Sequence, residues 1–253
     1  TMALAALVMT LYLTCLCMVD RHYTWKGLLL WVIGGIIGAC GYFIYTFIIF
    51  DTPGSPYRFE ADPFFREQMS RGFMGATVPS LRVAWLVTFH PFKGFFLWWP
   101  VLAIALGGCI YLMFRGDPRE RIETACSLLF LAGLLLYNSA YYMWWGGYSY
   151  APRHLLPAVA LLFTGLPPIL RNHHFVVRMS FISLIGVSIL FNMAAVSLDP
   201  QVPPFHDQEQ LMRPESIRDW RIPYLILQEH AWGKSPGAPA RGQTDVNWGT
   251  LMG

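Results

Sequence analysis

Six apolar stretches separated by polar segments are the feature that most limits what this chain can fold into. A helix needs about 20 apolar residues to cross a bilayer core, because each residue adds roughly 1.5 Å to its length. The six stretches lie at residues 2–19, 27–50, 100–114, 123–144, 155–170 and 175–198. Of the 253 residues 55% are hydrophobic and only 13% are charged, which excludes an ordinary soluble domain. The sequence therefore predicts an all-α integral membrane protein with about six transmembrane helices.

The polar segments divide the chain into a membrane domain and a tail. Residues 1–198 form the predicted polytopic transmembrane domain, and residues 51–93 are its long loop. Within that loop, Met69–Phe89 mixes arginines with bulky apolar residues, which predicts a helix lying in the membrane interface. Pro157, together with prolines later in the fifth stretch, should bend or break that stretch. Residues 199–253 combine scattered charges with many prolines, so we expect an irregular tail packed on the outer face.

The distribution of arginine and lysine predicts the orientation in the membrane. Short basic segments at 20–26, 115–121 and 171–178 alternate with aromatic-rich segments at 51–99 and 141–154. By the positive-inside rule the basic segments face the cytoplasm. The long loop, the second aromatic segment and the tail then lie outside. The first stretch enters from outside, so we expect an earlier crossing upstream of it.

The segment Tyr141–His154 carries the main functional signal. Its tryptophans and tyrosines are typical of a membrane boundary, and its two glycines allow a sharp bend. Pro152 suits the first turn of the helix that follows, which places Arg153 and His154 at an N-terminus that favours an anion. We predict that these two residues bind a lipid phosphate. The simpler alternative is that Arg153 only anchors the helix end to lipid headgroups. The predicted aromatic walls of the site are Trp144, Trp145, Tyr148 and Tyr150.

Acidic residues of the long loop are the candidates for a catalytic base or a metal ligand. They are Asp51, Glu60, Asp62 and Glu67, although solvation alone explains most acids in loops. All five cysteines lie inside apolar runs without ligand-like neighbours, so the residues indicate no metal site, no cofactor and no disulfide framework. The net charge of +3 is spread over several loops, which gives no reason to expect nucleic acid as a partner.

Three motifs resemble those of a known class of enzymes. Trp144-Trp-Gly-Gly-Tyr-Ser-Tyr-Ala-Pro-Arg-His-Leu-Leu-Pro157 resembles the Trp-Trp-Gly-Gly-x-x-x-Gly-Pro-Arg-Tyr-Leu-Leu-Pro signature of large bacterial integral-membrane glycosyltransferases of the GT-C type. Phe50–Pro56 resembles their Phe-Gly-Ser-Pro turn, and His90–Pro100 resembles their Arg-Gly-Leu-Phe-x-x-x-Pro run. The likeness covers about residues 42–170 and touches the tail. It departs from the signature at Ala151, where the family has Gly, and at His154, where the family has Tyr.

This resemblance implies a mannosyltransferase-like activity. A sugar would move from a polyprenyl-phosphate donor to an acceptor on the extracytoplasmic face of a bacterial cytoplasmic (inner) membrane, with Arg153 and His154 at the donor phosphate. The resemblance allows a divalent metal, which the residues themselves do not indicate. The family's acidic catalytic residue lies in the first outer loop. We expect this sequence to begin beyond that loop, and therefore to act with a further N-terminal part or with partner membrane chains.

A non-catalytic membrane scaffold, or an accessory subunit of a larger membrane complex, is the alternative function. It would explain why no acid–base pair stands in the aromatic segment. Membrane lipids are partners in both interpretations, whereas a lipid-linked sugar donor is a partner only of the enzyme. A transporter is disfavoured because the apolar stretches lack buried charges and an internal repeat.

Overall fold

The computed structural model describes residues 2–19, 25–51, 62–147, 149–171, 174–198 and 213–217. Within these ranges the chain is mostly helical and contains isolated bridges but no β-strand. The α-helices are α1 (Met2–Val19), α2 (Trp25–Phe50), α3 (Pro63–Ser70), α4 (Leu81–Thr88), α5 (Phe95–Trp98), α6 (Val101–Arg115), α7 (Pro118–Ala140), α8 (Leu156–Leu162), α9 (Pro167–Arg171) and α10 (Phe175–Leu198). Short 3₁₀ turns occur at Arg153–Leu155, Phe163–Gly165 and Pro214–Ser216.

Four helical segments in the described part of the chain are long and apolar enough to cross a membrane. They are Trp25–Phe50, Pro118–Ala140, Arg153–Arg171 and Phe175–Ala195. The apolar helices α1 and α6 are shorter, roughly 27 and 22 Å at 1.5 Å per residue. The prediction of an all-α membrane protein is confirmed at this level, and crossing by all six stretches stays a prediction.

Helix α7 lies at the centre of the bundle and packs against α1, α4, α6 and α8. It begins with a capping box, in which Asp117 Oδ1 accepts a hydrogen bond from Glu120 N at 2.8 Å and Glu120 Oε2 accepts one from Asp117 N at 3.1 Å. Phe130, Leu134 and Asn138 are buried at intervals of four residues. That spacing places them on one face of the helix, so α7 turns this face to the core.

Helix α1 runs antiparallel to α7. Leu4 packs so closely against Gly133 that a Cβ there would lie 2.8 Å from Leu4 Cδ2. Further along, Tyr12 Oη donates to Glu123 Oε1 at 3.1 Å near the start of α7. The end of α1 therefore lies on the same side of the bundle as the start of α7.

The fifth apolar stretch is interrupted, as its prolines predict. A 3₁₀ turn at Phe163–Gly165 separates α8 from α9, which starts at Pro167 because proline has no N–H to continue a helix. The interruption brings two backbones into contact, since a Cβ on Gly108 of α6 would overlap the Gly165 carbonyl. Thr164 Oγ1, 3.2 Å from Ser127 Oγ, joins the same turn to α7.

The bundle has two chemically different ends. The Arg-rich end consists of residues 115–121 and Arg171, where Arg171 Nη1 lies 3.6 Å from Glu120 Oε1. The aromatic end consists of residues 89–100 and 141–154, joined to α10 by a hydrogen bond of 3.3 Å from Asn192 Nδ2 to Trp98 O. The basic segments at 115–121 and 171 therefore meet at one end, away from the aromatic segments.

The expected interface helix over Met69–Phe89 is wrong in its extent. Helix α3 ends at Ser70, and α4 starts only at Leu81. Between them the φ angles of Gly72, Met74 and Gly75 are +57°, +53° and +81°, and a left-handed backbone cannot continue a right-handed helix. This turn docks on the end of α7, where Thr77 N donates to Ala140 O at 2.9 Å and Tyr142 N to Gly75 O at 3.0 Å.

The described part of the tail packs on α4. Ile217 is fully buried in the main core cluster, and its carbonyl accepts a hydrogen bond from Arg82 Nη2 at 2.8 Å. These contacts connect residues 213–217 to α4, which belongs to the long loop predicted to lie outside. The division of the chain at residue 198 into two domains stays a prediction.

Candidate functional site

The chain reverses direction at Gly146 and Gly147, between α7 and the 3₁₀ turn at Arg153–Leu155. Their φ angles are +70° and +74°, a conformation that favours glycine because a Cβ would crowd the backbone. The sharp bend expected from the sequence is therefore present. We call Gly146–Ser149 the glycine turn, of which residues 146, 147 and 149 are described.

Arg153 lies back over the glycine turn. A Cβ added at Gly146 would be 3.0 Å from Arg153 Cγ, and one added at Gly147 would be 3.6 Å from Arg153 Nη2. The side chain is exposed, and no acid in the described part of the chain forms an ion pair with it. Its guanidinium donors can therefore reach a ligand at the aromatic end.

His154 borders the same turn from a half-buried position. Its Cδ2 and Nε2 would lie 3.2 and 3.4 Å from a Cβ at Gly146, and its ring meets the Tyr141 ring edge-on at 5.5 Å. Nε2 is buried, and no described residue hydrogen-bonds to it. Buried polar atoms are normally satisfied, so this nitrogen is a group that a ligand or an ordered water can contact.

The helix that follows Arg153 does not start as expected. Pro152 precedes a 3₁₀ turn rather than the first turn of an α-helix, and Leu155 N donates to Pro152 O at 2.9 Å. Helix α8 starts at Leu156 and has only seven residues. The start is delayed because Pro157 is tolerated only in the first turn of a helix. The predicted anion site would therefore depend on the side chains of Arg153 and His154 and not on the dipole of a long helix.

Lys93 is the main site residue that the sequence did not single out. Only 1% of it is exposed, and its Nζ donates hydrogen bonds to Gly147 O at 3.1 Å and to Ser149 O. Nζ also lies 5.2 Å from the centroid of the Phe92 ring. Lys93 thus connects the segment after α4 with the glycine turn. Its sequence signal is a lone charge inside the aromatic run His90–Trp99.

The environment of Lys93 changes its proton affinity. Burial, and to a smaller extent the nearby charge of Arg153, lowers the pKa of Lys93 from 10.5 to about 7. A neutral amine still has two N–H donors, and the two carbonyls of the glycine turn match that number. Lys93 therefore changes charge near neutral pH while it remains able to hold the turn.

Three of the four aromatic residues predicted to form the walls of the site are packed in the core. Trp144, Trp145 and Tyr150 are all buried. Trp144 meets Phe92 edge-on at 6.3 Å, and the ring centroids of Tyr150 and Trp98 are 5.4 Å apart. These contacts join the two segments of the aromatic end. Tyr148 lies outside the described residues, and the lining of a donor cavity by these aromatics stays a prediction.

An apolar groove of about 420 Å³ lies beside the aromatic end. Its walls come from α4, α5, α6 and α7 and from Leu155, which follows Arg153 by two residues. Trp144, Trp145 and Tyr150 do not line it. The residues that line it are Leu81, Ala84, Trp85, Thr88, Phe89, Phe95, Phe96, Leu106, Leu131, Leu135 and Leu155. Such a surface suits a hydrocarbon chain and offers little to a polar ligand.

No described hydrogen bond or ion pair connects the acidic candidates to the glycine turn. Asp51 is exposed at the end of α2 with φ +52°, and its N–H donates to Phe47 O at 2.9 Å. Asp62 Oδ1 accepts a hydrogen bond from Phe64 N at 2.8 Å and caps α3. Glu60 lies outside the described residues. Among the residues described, no three His, Cys, Asp or Glu side chains converge, so this part of the chain offers no cluster to hold a divalent ion.

Comparison with known proteins found no matching family model, no matching curated protein and no matching solved structure. The function is therefore inferred from the residues around the glycine turn and from the contacts they make.

Proposed function

We propose that the chain is the membrane part of a glycosyltransferase that moves a sugar from a polyprenyl-phosphate donor to an acceptor on the extracytoplasmic face. The observation that carries the proposal is the position of Arg153. Its exposed guanidinium lies over the glycine turn without a described acidic partner. Beside it, His154 Nε2 is buried, and no described residue hydrogen-bonds to it. The guanidinium of Arg153 suits the oxygens of a phosphate. Burial lowers the pKa of His154 to about 4, so His154 adds no positive charge to this site at neutral pH.

The apolar groove supports a lipid as the bearer of that phosphate. Leu155 belongs to the groove, and Arg153 precedes it by only two residues. A donor with an anionic head and a long hydrocarbon chain would place these parts at Arg153 and in the groove. A free, water-soluble phosphate would bind at Arg153 but would leave the apolar groove without a role.

The chemistry assigned to Arg153 is the stabilisation of a leaving group. The acceptor oxygen attacks the anomeric carbon of the sugar, the bond from that carbon to the phosphate oxygen breaks, and the lipid phosphate leaves with the electron pair. The acceptor's proton passes to a base, for which Asp51, Glu60 and Asp62 are the sequence candidates. Arg153 stabilises the charge that builds up on the phosphate through charge-assisted hydrogen bonds.

The proposed topology has six crossings in a bacterial cytoplasmic membrane, with the aromatic end outside. The basic segments 115–121 and 171 meet at one end, and the positive-inside rule assigns that end to the cytoplasm. The antiparallel course of α1 and α7 agrees with alternate crossings. The donor site then faces the side on which a lipid-linked sugar is used.

Substitution of Arg153 in the complete protein tests the proposal. We expect Arg153→Ala to lower turnover with a polyprenyl-phosphate sugar about 30- to 1,000-fold, since losing such a contact costs on the order of 2–4 kcal/mol. Arg153→Lys should also be impaired, because lysine cannot bind two phosphate oxygens through a rigid planar fork. Donor binding and turnover are measured at matched amounts of folded protein.

Arg171→Ala is the matched control, because it removes an exposed arginine from the other end of the bundle. It should leave donor binding unchanged. Normal donor affinity and normal turnover in Arg153→Ala would refute the enzymatic proposal and favour a membrane scaffold in which Arg153 only anchors a helix end.

A further inference from the structure

We propose that Lys93 is the second cationic group of the Arg153 site. It holds the glycine turn through two main-chain carbonyls and, when protonated, adds a positive charge that strengthens the binding of a lipid phosphodiester. The inference rests on the proposed function, which it deepens. Lys93 acts as a positioning residue because its Nζ contacts the protein main chain rather than the ligand.

Lys93 and Arg153 both lie against Gly147. Lys93 Nζ donates to the carbonyl of Gly147, and the guanidinium of Arg153 lies 3.6 to 3.8 Å from the position that a Gly147 Cβ would occupy. A second bond from Lys93 reaches Ser149 O, on the far side of residue 148. The lysine therefore fixes the surface on which the Arg153 side chain rests. A ligand bound to Arg153 would therefore also interact electrostatically with a protonated Lys93.

Few other charged or titratable groups lie near Lys93 in the described part of the chain. No described acid forms an ion pair with Lys93. The charged and titratable groups near it are Arg153 and His154, which interact with it electrostatically, and His90, whose carbonyl accepts the Lys93 N–H at 3.2 Å. The two histidines are therefore the groups that the experiment must separate from Lys93.

Protonation of Lys93 should couple to anion binding. Burial lowers the pKa of Lys93 to about 7, so the charge of the site rises as the pH falls through neutrality. By linkage, a bound phosphodiester should in turn favour the protonated lysine. A lysine with a purely structural role would support the turn at all pH values and would not give the ligand a pH-dependent affinity.

The test measures the binding of farnesyl methyl phosphate, a prenyl phosphodiester whose single negative charge is constant between pH 6 and pH 9. The complete protein is titrated in a neutral detergent. We expect binding that depends on Arg153 and is about threefold to tenfold tighter at pH 6 than at pH 9, the size expected for one partly screened charge close to the ligand. Farnesol, which lacks the phosphate, should show no such pH dependence.

Two substitutions at Lys93 should remove the pH dependence in opposite ways. Lys93→Met has no charge, so its affinity should stay at the high-pH level of the wild type. Lys93→Arg keeps its charge, so its affinity should stay at the low-pH level. His154→Asn and His90→Asn should each retain the pH dependence of the wild type, and these two variants decide the question when neither Lys93 variant folds.

The outcomes separate this inference from the function on which it rests. Arg153-dependent binding that does not change with pH overturns the role of Lys93 alone. A pH dependence that disappears in His154→Asn or His90→Asn assigns the titration to that histidine and overturns it as well. Binding that is equal in the wild type and in Arg153→Ala overturns the proposed function together with this inference.

Discussion

The two ends of the bundle hold their cationic side chains in different ways. At the Arg-rich end, Arg119 Nε lies 3.0 Å from Glu123 Oε1, Arg171 pairs with Glu120, and Arg121 Nε donates to Gly116 O at 2.8 Å. At the aromatic end, Arg153 is exposed without a described ion pair, and Lys93 is buried against two carbonyls. At the Arg-rich end, three of the four arginines thus bond to the protein itself, whereas Arg115 is exposed without a described partner.

This difference shows why the number of charges is a poor guide to the site. Exposed ion pairs contribute about 0–1 kcal/mol each and serve to anchor helix ends. A buried cation costs free energy unless hydrogen bonds offset its loss of hydration, so its position is more informative. Lys93 is such a cation, and the residue beside it is Arg153. The proposed site therefore lies at the end where one cation, Lys93, is buried and held by hydrogen bonds.

The largest expected effect is a dependence of stability on pH that originates at Lys93. The folded-state pKa is lowered, so between pH 7 and pH 10.5 the unfolded chain binds more protons than the folded one. Stability should therefore rise with pH across this range, by about 2–4 kcal/mol between pH 6.5 and pH 9.5. Below pH 7 the full cost of burying the charge remains.

Chemical unfolding in detergent at several pH values measures this effect, with Lys93→Met as the reference. The difference between the two proteins cancels the titration of other groups. Parallel curves for the wild type and Lys93→Met would mean that Lys93 does not set the pH dependence, and the contrast between the two ends would then lose its main support.

The second expected effect concerns the backbone of the glycine turn. Gly146→Ala should destabilise the protein by about 1–3 kcal/mol, because alanine is strained at φ +70° and its Cβ would lie 3.0 Å from Arg153 Cγ. The same contact should displace Arg153 and weaken prenyl phosphodiester binding. Gly107→Ala is the matched control, since a Cβ there meets no atom within 4 Å. Equal stability of the two variants would show that the turn tolerates a side chain.

The smallest expected effect lies at the Arg-rich end. Asp117→Ala should lower the free energy of unfolding by about 1 kcal/mol, because it removes the side chain that caps α7. Asp117→Asn should restore most of that loss, since asparagine caps as well as aspartate. Both variants should bind prenyl phosphodiester like the wild type. A clear loss of binding in Asp117→Ala would mean that the two ends are coupled.

Helix positions were largely predictable from apolar patterning. The sixth stretch was expected at residues 175–198, and α10 spans Phe175–Leu198. The fourth was expected to reach Trp144, but α7 ends at Ala140. Beyond this end, the Tyr142 N–H donates to the Gly75 carbonyl. A local pattern cannot reveal a partner 67 residues away in sequence, because only folding brings it to the helix end.

The candidate site was predictable only in part. Gly146, Gly147 and Arg153 stand in one short motif, so their bend and their cation could be anticipated from local residue types. The role of Lys93 could not, since it bonds to carbonyls 54 and 56 residues further along the chain. The split of the expected interface helix has a similar origin, because the turn between α3 and α4 docks on the end of α7.

By itself the sequence determined the membrane class, the approximate positions of the helices and the glycine bend. These properties follow from the apolar content of each stretch and from the dihedral freedom of single residues, which are local. Only the tertiary structure decided that Lys93 is buried beside Arg153 and that Arg119 and Arg171 at the opposite end are paired with acids. Burial and hydrogen-bond partners depend on which distant segments meet, and that is why the charge of this site is a property of the fold.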